Sequence, residues 1–230
     1  MGRVHEGNDT RGLALATHGV STTVNSVNVS VRKRDLEMML QTIAAHPNPK
    51  VNMEQYTTPA EIAADLLFRA CYSYGDIRGK TVIDLGTGTG RLAIGAAILG
   101  AEQVVGIDLD SESTRKALSS SKLMGLRIDW VAGNIEVARG RFDTVIMNPP
   151  FGTRQEHADI KFLTAALRLG KVVYSIHKTT TRPFISRWLR DADAQSEVMM
   201  TAKMFIPHQF DFHNKRRYPV VVDVLRIISG

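Results

Sequence analysis

One cysteine, Cys71, stands in 230 residues. A single thiol cannot close an internal disulfide, and without CxxC or paired Cys/His spacing the sequence offers no zinc framework and no other metal site. A reducing intracellular compartment is therefore expected, the cytoplasm being the simplest. Long apolar runs are also missing. None reaches the ~18–20 residues that a helix needs to cross a bilayer, so no membrane segment is expected. The opening Met1-Gly2-Arg3-Val4-His5-Glu6 carries no apolar stretch of the secretory kind. Acidic residues are the minority: 29 Lys and Arg face 23 Asp and Glu, a net charge of +6. That balance favours a polyanionic partner, with nucleic acid first among candidates.

What is present suffices for a full core. The hydrophobic fraction is 43% and the charged fraction 23%, ordinary values for a globular chain of this length. Residues 1–31 are rich in Thr, Ser, Val, Asn and Gly without a sustained period. They read as a poorly ordered extension, with room for a short strand over 22–31. The domain proper is expected over 32–230.

A helix is expected over 34–45, since Leu36, Met39, Leu40 and Ile43 fall on one face. A second should start at Pro59 with Thr58 as its N-cap. From Lys80 the pattern alternates strand and helix. Strands are predicted over 81–84, 103–107, 127–132, 144–147, 172–176, 198–205 and 220–228. Helices fill the gaps over 91–99, 111–121, 157–169 and 182–190. Short β-branched runs such as Val82-Ile83 and Val104-Val105 suit strands buried on both faces. Repeated βα units imply an α/β fold, an open parallel sheet with helices on both faces. No helix separates the last two strands, so one of them should run antiparallel.

Two segments carry chemistry. The first is Val82-Ile83-Asp84-Leu85-Gly86-Thr87-Gly88-Thr89-Gly90-Arg91. A strand ends at an acid and turns through alternate glycines into a helix, at the sheet edge where α/β folds bind ligands. The spacing is not the GxGxxG of dinucleotide sites, and a glycine run alone also fits a plain βα turn. The next strand, Val104-Val105-Gly106-Ile107-Asp108, again ends in an acid. A carboxylate there can accept from both hydroxyls of a ribose, while Asp110 is better placed to cap the following helix. Loop and acid together describe an adenosine site.

The second segment is Asp143-Thr144-Val145-Ile146-Met147-Asn148-Pro149-Pro150-Phe151. Two prolines in succession are stiff and donate no backbone hydrogen bonds. The Asn148 amide oxygen and the Pro149 carbonyl can accept both protons of one –NH₂ group, and Phe151 can stack on a planar base. This arrangement answers a chemical problem. An aryl amine delocalises its lone pair into the ring, and two acceptors out of the ring plane favour a pyramidal, nucleophilic nitrogen. Taken alone, Asn-Pro-Pro-Phe is also a strand-to-loop turn.

An Asp-x-Gly-x-Gly-x-Gly loop followed by Asn-Pro-Pro-Phe resembles the signature of amino-nitrogen methyltransferases of the class I Rossmann-like type. Glu54-Gln55-Tyr56-Thr57-Thr58-Pro59, Asn148–Thr153 and Tyr174-Ser175-Ile176-His177-Lys178 are similar, more narrowly, to the RNA adenine-N6 methylases of archaea and eukaryotes, whose eukaryotic members modify small-subunit ribosomal RNA. The resemblance runs from about Val31 to Ile228. It implies a seven-stranded, mostly parallel sheet with an antiparallel last strand and S-adenosylmethionine as cofactor. Carried over by position, Gln55 and Thr58 should touch the cofactor from the N-terminal side. Asp84, Gly86, Gly88, Thr89, Gly90 and Arg91 should form its loop, and Asp108 should hold the ribose. Asn134 and Ile135 should lie beside the adenine; relatives often carry Asp at the Asn134 position. Asn148, Pro149, Pro150 and Phe151 should be the catalytic tetrapeptide.

His177 and Lys178 are expected at the substrate entrance, or else as a strand end with a solvated charge. Lys215, Arg216 and Arg217 follow an aromatic and suit RNA phosphates, or form an ordinary exposed hairpin. Adenine methylation of DNA, guanine-N2 methylation of RNA, N5 methylation of a protein glutamine and a non-catalytic RNA scaffold are the competing readings. A partner is also expected. The strand over 127–132 should lie outermost in the sheet and present Trp130 and Val131, or else Trp130 packs under the adjacent helix and the N-terminal extension covers the edge. The eukaryotic relatives bind a small zinc-binding activator protein at such an edge.

Overall fold

The computed structural model describes residues 30–45, 56–151, 158–207 and 217–230, and Val31–Gly230 is one compact unit. The extension expected over 1–31, with its possible strand, lies outside the described residues apart from its last two.

Among the described residues two helices, α1 (Lys33–Gln41) and α2 (Ala60–Tyr72), precede the sheet. Then come β1 (Thr81–Leu85), α3 (Arg91–Ile98), β2 (Gln103–Asp108), α4 (Ser111–Leu123), β3 (Asp129–Ala132) and β4 (Phe142–Met147). The chain ends with α5 (Ala158–Leu169), β5 (Gly170–Lys178), α6 (Arg182–Asp191), β6 (Gln195–Pro207) and β7 (Arg217–Ile228). The seven strands lie in the order β3-β2-β1-β4-β5-β7-β6. The strands from β3 to β5 are parallel, and β7 runs antiparallel to both its neighbours. The α/β sheet with an antiparallel last strand is the fold that the sequence leads one to expect.

Strand side chains alternate between two cores. Val82, Val104, Ile146, Tyr174 and Ile176 meet the apolar faces of α1, α2 and α3. Ile83, Leu85, Val145, Met147 and Val173 meet Leu163, Ala166 and Leu169 of α5 and Ile185 and Leu189 of α6. Helices therefore cover both faces, and the carboxyl ends of β1, β2 and β4 open at one edge of the sheet.

Three expectations need correcting. α1 stops at Gln41 rather than 45, because the Thr42 and Ile43 N–H groups turn back to Met39 and Leu40. Thr58 is not the N-cap of α2: Pro59 occupies that position, and no side chain caps the helix. Trp130 is not presented at the sheet edge. Its indole N–H donates to Ser121 Oγ of α4 at 3.1 Å, and its ring packs against the core beneath that helix. β3 is nonetheless the outer strand, with Val131 exposed.

Candidate active site

A cavity of about 320 Å³ opens where β1, β2 and β4 end. Among its lining residues are Tyr56, Thr57 and Thr58 ahead of α2, and Gly86, Thr87, Gly88, Thr89 and Arg91 around the glycine turn. Asp108, Asn134, Ile135 and Glu136 form one wall, and Asn148 and Pro150 another.

Asp84 lies at the base of the cavity, 1% exposed. Its Oδ2 accepts from Thr87 Oγ1 at 2.6 Å and from the Ala93 N–H at 3.1 Å. Its Oδ1 has no partner. Burial raises its pKa to about 7, with the two hydrogen bonds opposing and the nearby Asp108 charge adding to the rise. An acid in that state invites a cationic group.

Asp108 ends β2 and braces the turn. Its Oδ2 accepts from the Gly88 N–H and its Oδ1 from the Asp110 N–H, both at 2.8 Å. Asp110 is the N-cap of α4 by position, although its carboxylate accepts from Ser113 Oγ rather than from a helix amide. Asn134 caps a single 3₁₀ turn, its Oδ1 accepting from the Glu136 N–H at 3.0 Å. Its Nδ2 donates to Glu136 Oε2 at 3.0 Å. Glu136 therefore adds a second carboxylate to this wall beside Asp108, tied to Asn134 through both its backbone N–H and its side chain.

The tetrapeptide leaves β4 directly under the segment that precedes α2. Asn148 Nδ2 donates to Thr58 Oγ1 at 3.0 Å, and Asn148 Oδ1 is buried without a partner. The Tyr56 hydroxyl donates to the Pro149 carbonyl at 3.2 Å. Phe151 is 8% exposed. Its ring centroid lies 4.9 Å from that of Tyr56, and Lys178 Nζ sits 5.2 Å from it on the ring face. Phe151 thus packs inside the fold instead of standing open as a platform.

Arg91 ties the glycine turn to the N-terminal segment. Its two terminal nitrogens donate to the Thr58 carbonyl at 2.6 Å and the Ile43 carbonyl at 2.8 Å. Gly90 faces away from the cavity. Its φ is +86°, and a Cβ there would come within 2.5 Å of the Trp130 ring.

His177 does not reach the entrance. It is 2% exposed, its Nε2 lies 2.7 Å from Ser175 Oγ, and its neighbour across the strand pair is Asp223. Burial lowers its pKa to about 4 against the pull of Asp223, so the ring is a neutral core group. Gln55, Lys215 and Arg216 lie outside the described residues. Arg217 begins β7.

Sequence reasoning missed Lys161, Phe162 and Glu136 as cavity residues. Phe162 comes from α5 and covers the glycine turn: a Cβ at Gly86 would lie 2.9 Å from its ring. Its place on the second turn of that helix gave no signal, because any amphipathic helix carries such a residue.

Four buried side-chain polar atoms among the described residues lack partners: Asp84 Oδ1, Thr89 Oγ1, Arg91 Nε and Asn148 Oδ1. All four belong to residues that line this cavity. A buried orphan is costly, and four together describe a site made for ligands. S-adenosylmethionine, with its ammonium, sulfonium, carboxylate and adenosine, fits the three on Asp84, Thr89 and Arg91, which leaves the Asn148 acceptor for a second group. Among the described residues no cluster of His, Cys, Asp or Glu could hold a metal, and no helix is long and apolar enough to cross a membrane.

Known proteins match this architecture. The profile of the ribosomal protein L11 methyltransferase (PrmA) family matches residues 26–148, which ends at Asn148 and so covers the cofactor half. A Methanocaldococcus jannaschii protein is 38% identical over 209 residues, 86% of this chain and 94% of its own. The Drosophila melanogaster rRNA N(6)-adenosine-methyltransferase Mettl5 is 36% identical over 208 residues, 87% of this chain and 98% of its own. The crystal structure of a candidate RNA methyltransferase from Pyrococcus horikoshii superposes with a TM-score of 0.80 at 39% identity, covering 87% of this chain and 99% of that one. The chain is an S-adenosylmethionine-dependent class I methyltransferase, and it belongs to the family of the Mettl5 rRNA N(6)-adenosine-methyltransferases.

Proposed function

We propose that the enzyme methylates the exocyclic N6 of an adenine in structured RNA, with small-subunit ribosomal RNA as the target, in the cytoplasm. The observation that carries this reading is Asn148 Oδ1, a buried acceptor without a partner in a residue lining the cavity wall. An –NH₂ group placed against it satisfies the orphan, and the Pro149 carbonyl has a second lone pair for the other proton. The two acceptors hold the nitrogen pyramidal and aim its lone pair along the cavity. When bound, S-adenosylmethionine supplies a methyl group activated by its sulfonium. It would leave as the neutral thioether, and the methylated nitrogen would shed one proton. The methylated aryl ammonium is a strong acid, so no side chain need act as a base before transfer. Alignment is the protein's main contribution.

Asp108 is the proposed ribose acceptor, and Asp84 and Arg91 would hold the charged end of the cofactor. Lys178 is proposed to contact RNA near the tetrapeptide, with Lys215, Arg216 and Arg217 on flanking phosphates. The net charge of +6 supports these contacts. A base-paired adenine hides its amino group, so the target is unpaired or flipped. The outer position of β3 supports strand addition by a small zinc-binding activator protein, with Val131 in contact instead of Trp130. Co-expression tests that partner: it should co-purify and raise the melting temperature.

Mass spectrometry of nucleosides from ribosomal RNA incubated with enzyme and labelled cofactor tests the activity. Label in N6-methyladenosine is the expected product. Label in N2-methylguanosine, or in protein alone, would overturn the assignment.

A further inference from the structure

The Asn148 amide is held from one side only. Its Nδ2 meets Thr58 Oγ1 at 3.0 Å, and Thr58 is itself 6% exposed. Thr58 sits on a stretch of irregular backbone, where nothing in a helix or strand would fix it. Arg91 does so by donating to the Thr58 carbonyl at 2.6 Å and to the Ile43 carbonyl at 2.8 Å. These two carbonyls flank the segment between α1 and α2, so one guanidinium at the start of α3 bolts both ends of that segment to the glycine turn. Two residues before Thr58, the Tyr56 hydroxyl reaches the Pro149 carbonyl. Both proposed acceptors of the tetrapeptide are thus braced from residues 56–58.

We propose that Thr58, anchored by Arg91, is the positioning residue for Asn148. This rests on the reading of Asn148 as the acceptor of the target amine. The amide has two faces. With Nδ2 on Thr58, the oxygen is directed to the incoming amine. With the amide reversed, the Thr58 hydroxyl becomes the donor, and two N–H groups confront the amine, opposing its protons or tying up the lone pair that must attack. The reversed form is unproductive, and a positively charged methyl donor in the cavity disfavours it further. What Thr58 adds is a fixed amide plane within which the productive orientation is selected. Without its hydroxyl the buried Nδ2 loses its partner, and the amide rotates to seek another.

The test compares Thr58→Val with Thr58→Ser. Valine keeps the shape and removes the hydrogen bond, whereas serine keeps the hydrogen bond. The single-turnover rate of Thr58→Val should fall roughly ten- to hundredfold, with RNA affinity and cofactor affinity within about threefold of wild type. Thr58→Ser should recover most of the rate. Equal rates for wild type and Thr58→Val overturn the inference. So does a parallel loss of calorimetric cofactor affinity and rate, which makes Thr58 a cofactor ligand instead. Asn148→Ala is run beside them: full activity there sinks the reading of Asn148, whereas inactive Asn148→Ala with fully active Thr58→Val sinks only the positioning role. Independent of turnover, the Asn148 side-chain amide protons should exchange with water faster in Thr58→Val by NMR. Unchanged exchange counts against the hydrogen bond itself.

Discussion

The indole of Trp130 occupies the space that a side chain at Gly106 would need. A Cβ built at Gly106 would fall 2.4 Å from Trp130 Cζ3 and 2.5 Å from Cε3. The two residues are register partners on β2 and β3, and the same ring closes over Gly90 at the end of the cofactor turn. The outer strand is thereby locked to the cofactor loop through one aromatic ring.

Gly106→Ala should therefore destabilise the fold by about 1–3 kcal/mol, as overpacking does, read as a lowered denaturant midpoint. Trp130→Lys should disrupt the monomer. Val131→Lys, on the exposed face of the same strand, should leave the monomer's melting temperature nearly unchanged. Equal melting temperatures for Trp130→Lys and wild type would remove Trp130 from the core.

Asp84 predicts a pH dependence of cofactor binding. Its pKa stands at about 7 without a cation beside it, and a bound cation favours the carboxylate. Binding near pH 7 should release a proton. Affinity should weaken below pH 7 by up to about tenfold per unit. Calorimetry in buffers of differing ionisation enthalpy reads the proton directly, and Asp84→Asn should abolish it. In the cofactor-free protein the raised pKa stabilises the fold below pH ~4 and is lost as pH rises through about 7. Asp84→Asn should thus gain on wild type in melting temperature across that window.

Asp108→Ala should weaken cofactor binding by about 1.5–3 kcal/mol, the range for a charge-assisted hydrogen bond. It should also loosen the turn, because the Gly88 N–H loses its acceptor. Undiminished calorimetric affinity would take Asp108 out of the site.

Much of the fold was legible because both of its periods are plain. Paired β-branched residues mark buried strands such as β1 and β2, and Leu36 and Leu40 mark the inner face of α1. The tetrapeptide and the two strand-end acids were legible because their chemistry needs those residue types in that order. The misreadings share a cause. Thr58 has the composition of a helix cap, but its hydroxyl is taken by Asn148 across 90 residues of sequence. Trp130 alternates like an edge residue, yet two glycines distant in sequence leave the hole that it fills. His177 follows the strand pattern to a position that a motif reads as an entrance, and the pairing of β5 with β7 buries it beside Asp223. Each depends on a long-range contact that local pattern does not encode.

His177 should make the protein acid-sensitive. Its pKa is lowered from 6.5 to about 4, so the unfolded chain binds an extra proton between those values. Stability should fall as pH drops through that window, by at most ~1.4 kcal/mol per unit. In cofactor-free wild type the opposite slope of Asp84 masks it. The Asp84→Asn background exposes it, and adding His177→Gln should flatten the curve again. A slope that survives His177→Gln would assign it to another group.

The central claim is that Asn148 aligns the target amine and does not hold the cofactor. Single-turnover methyl transfer by Asn148→Ala, measured together with calorimetric S-adenosylmethionine affinity, tests it most directly. The account predicts transfer lost and affinity within a few-fold of wild type. Near-full single-turnover activity in Asn148→Ala would contradict it.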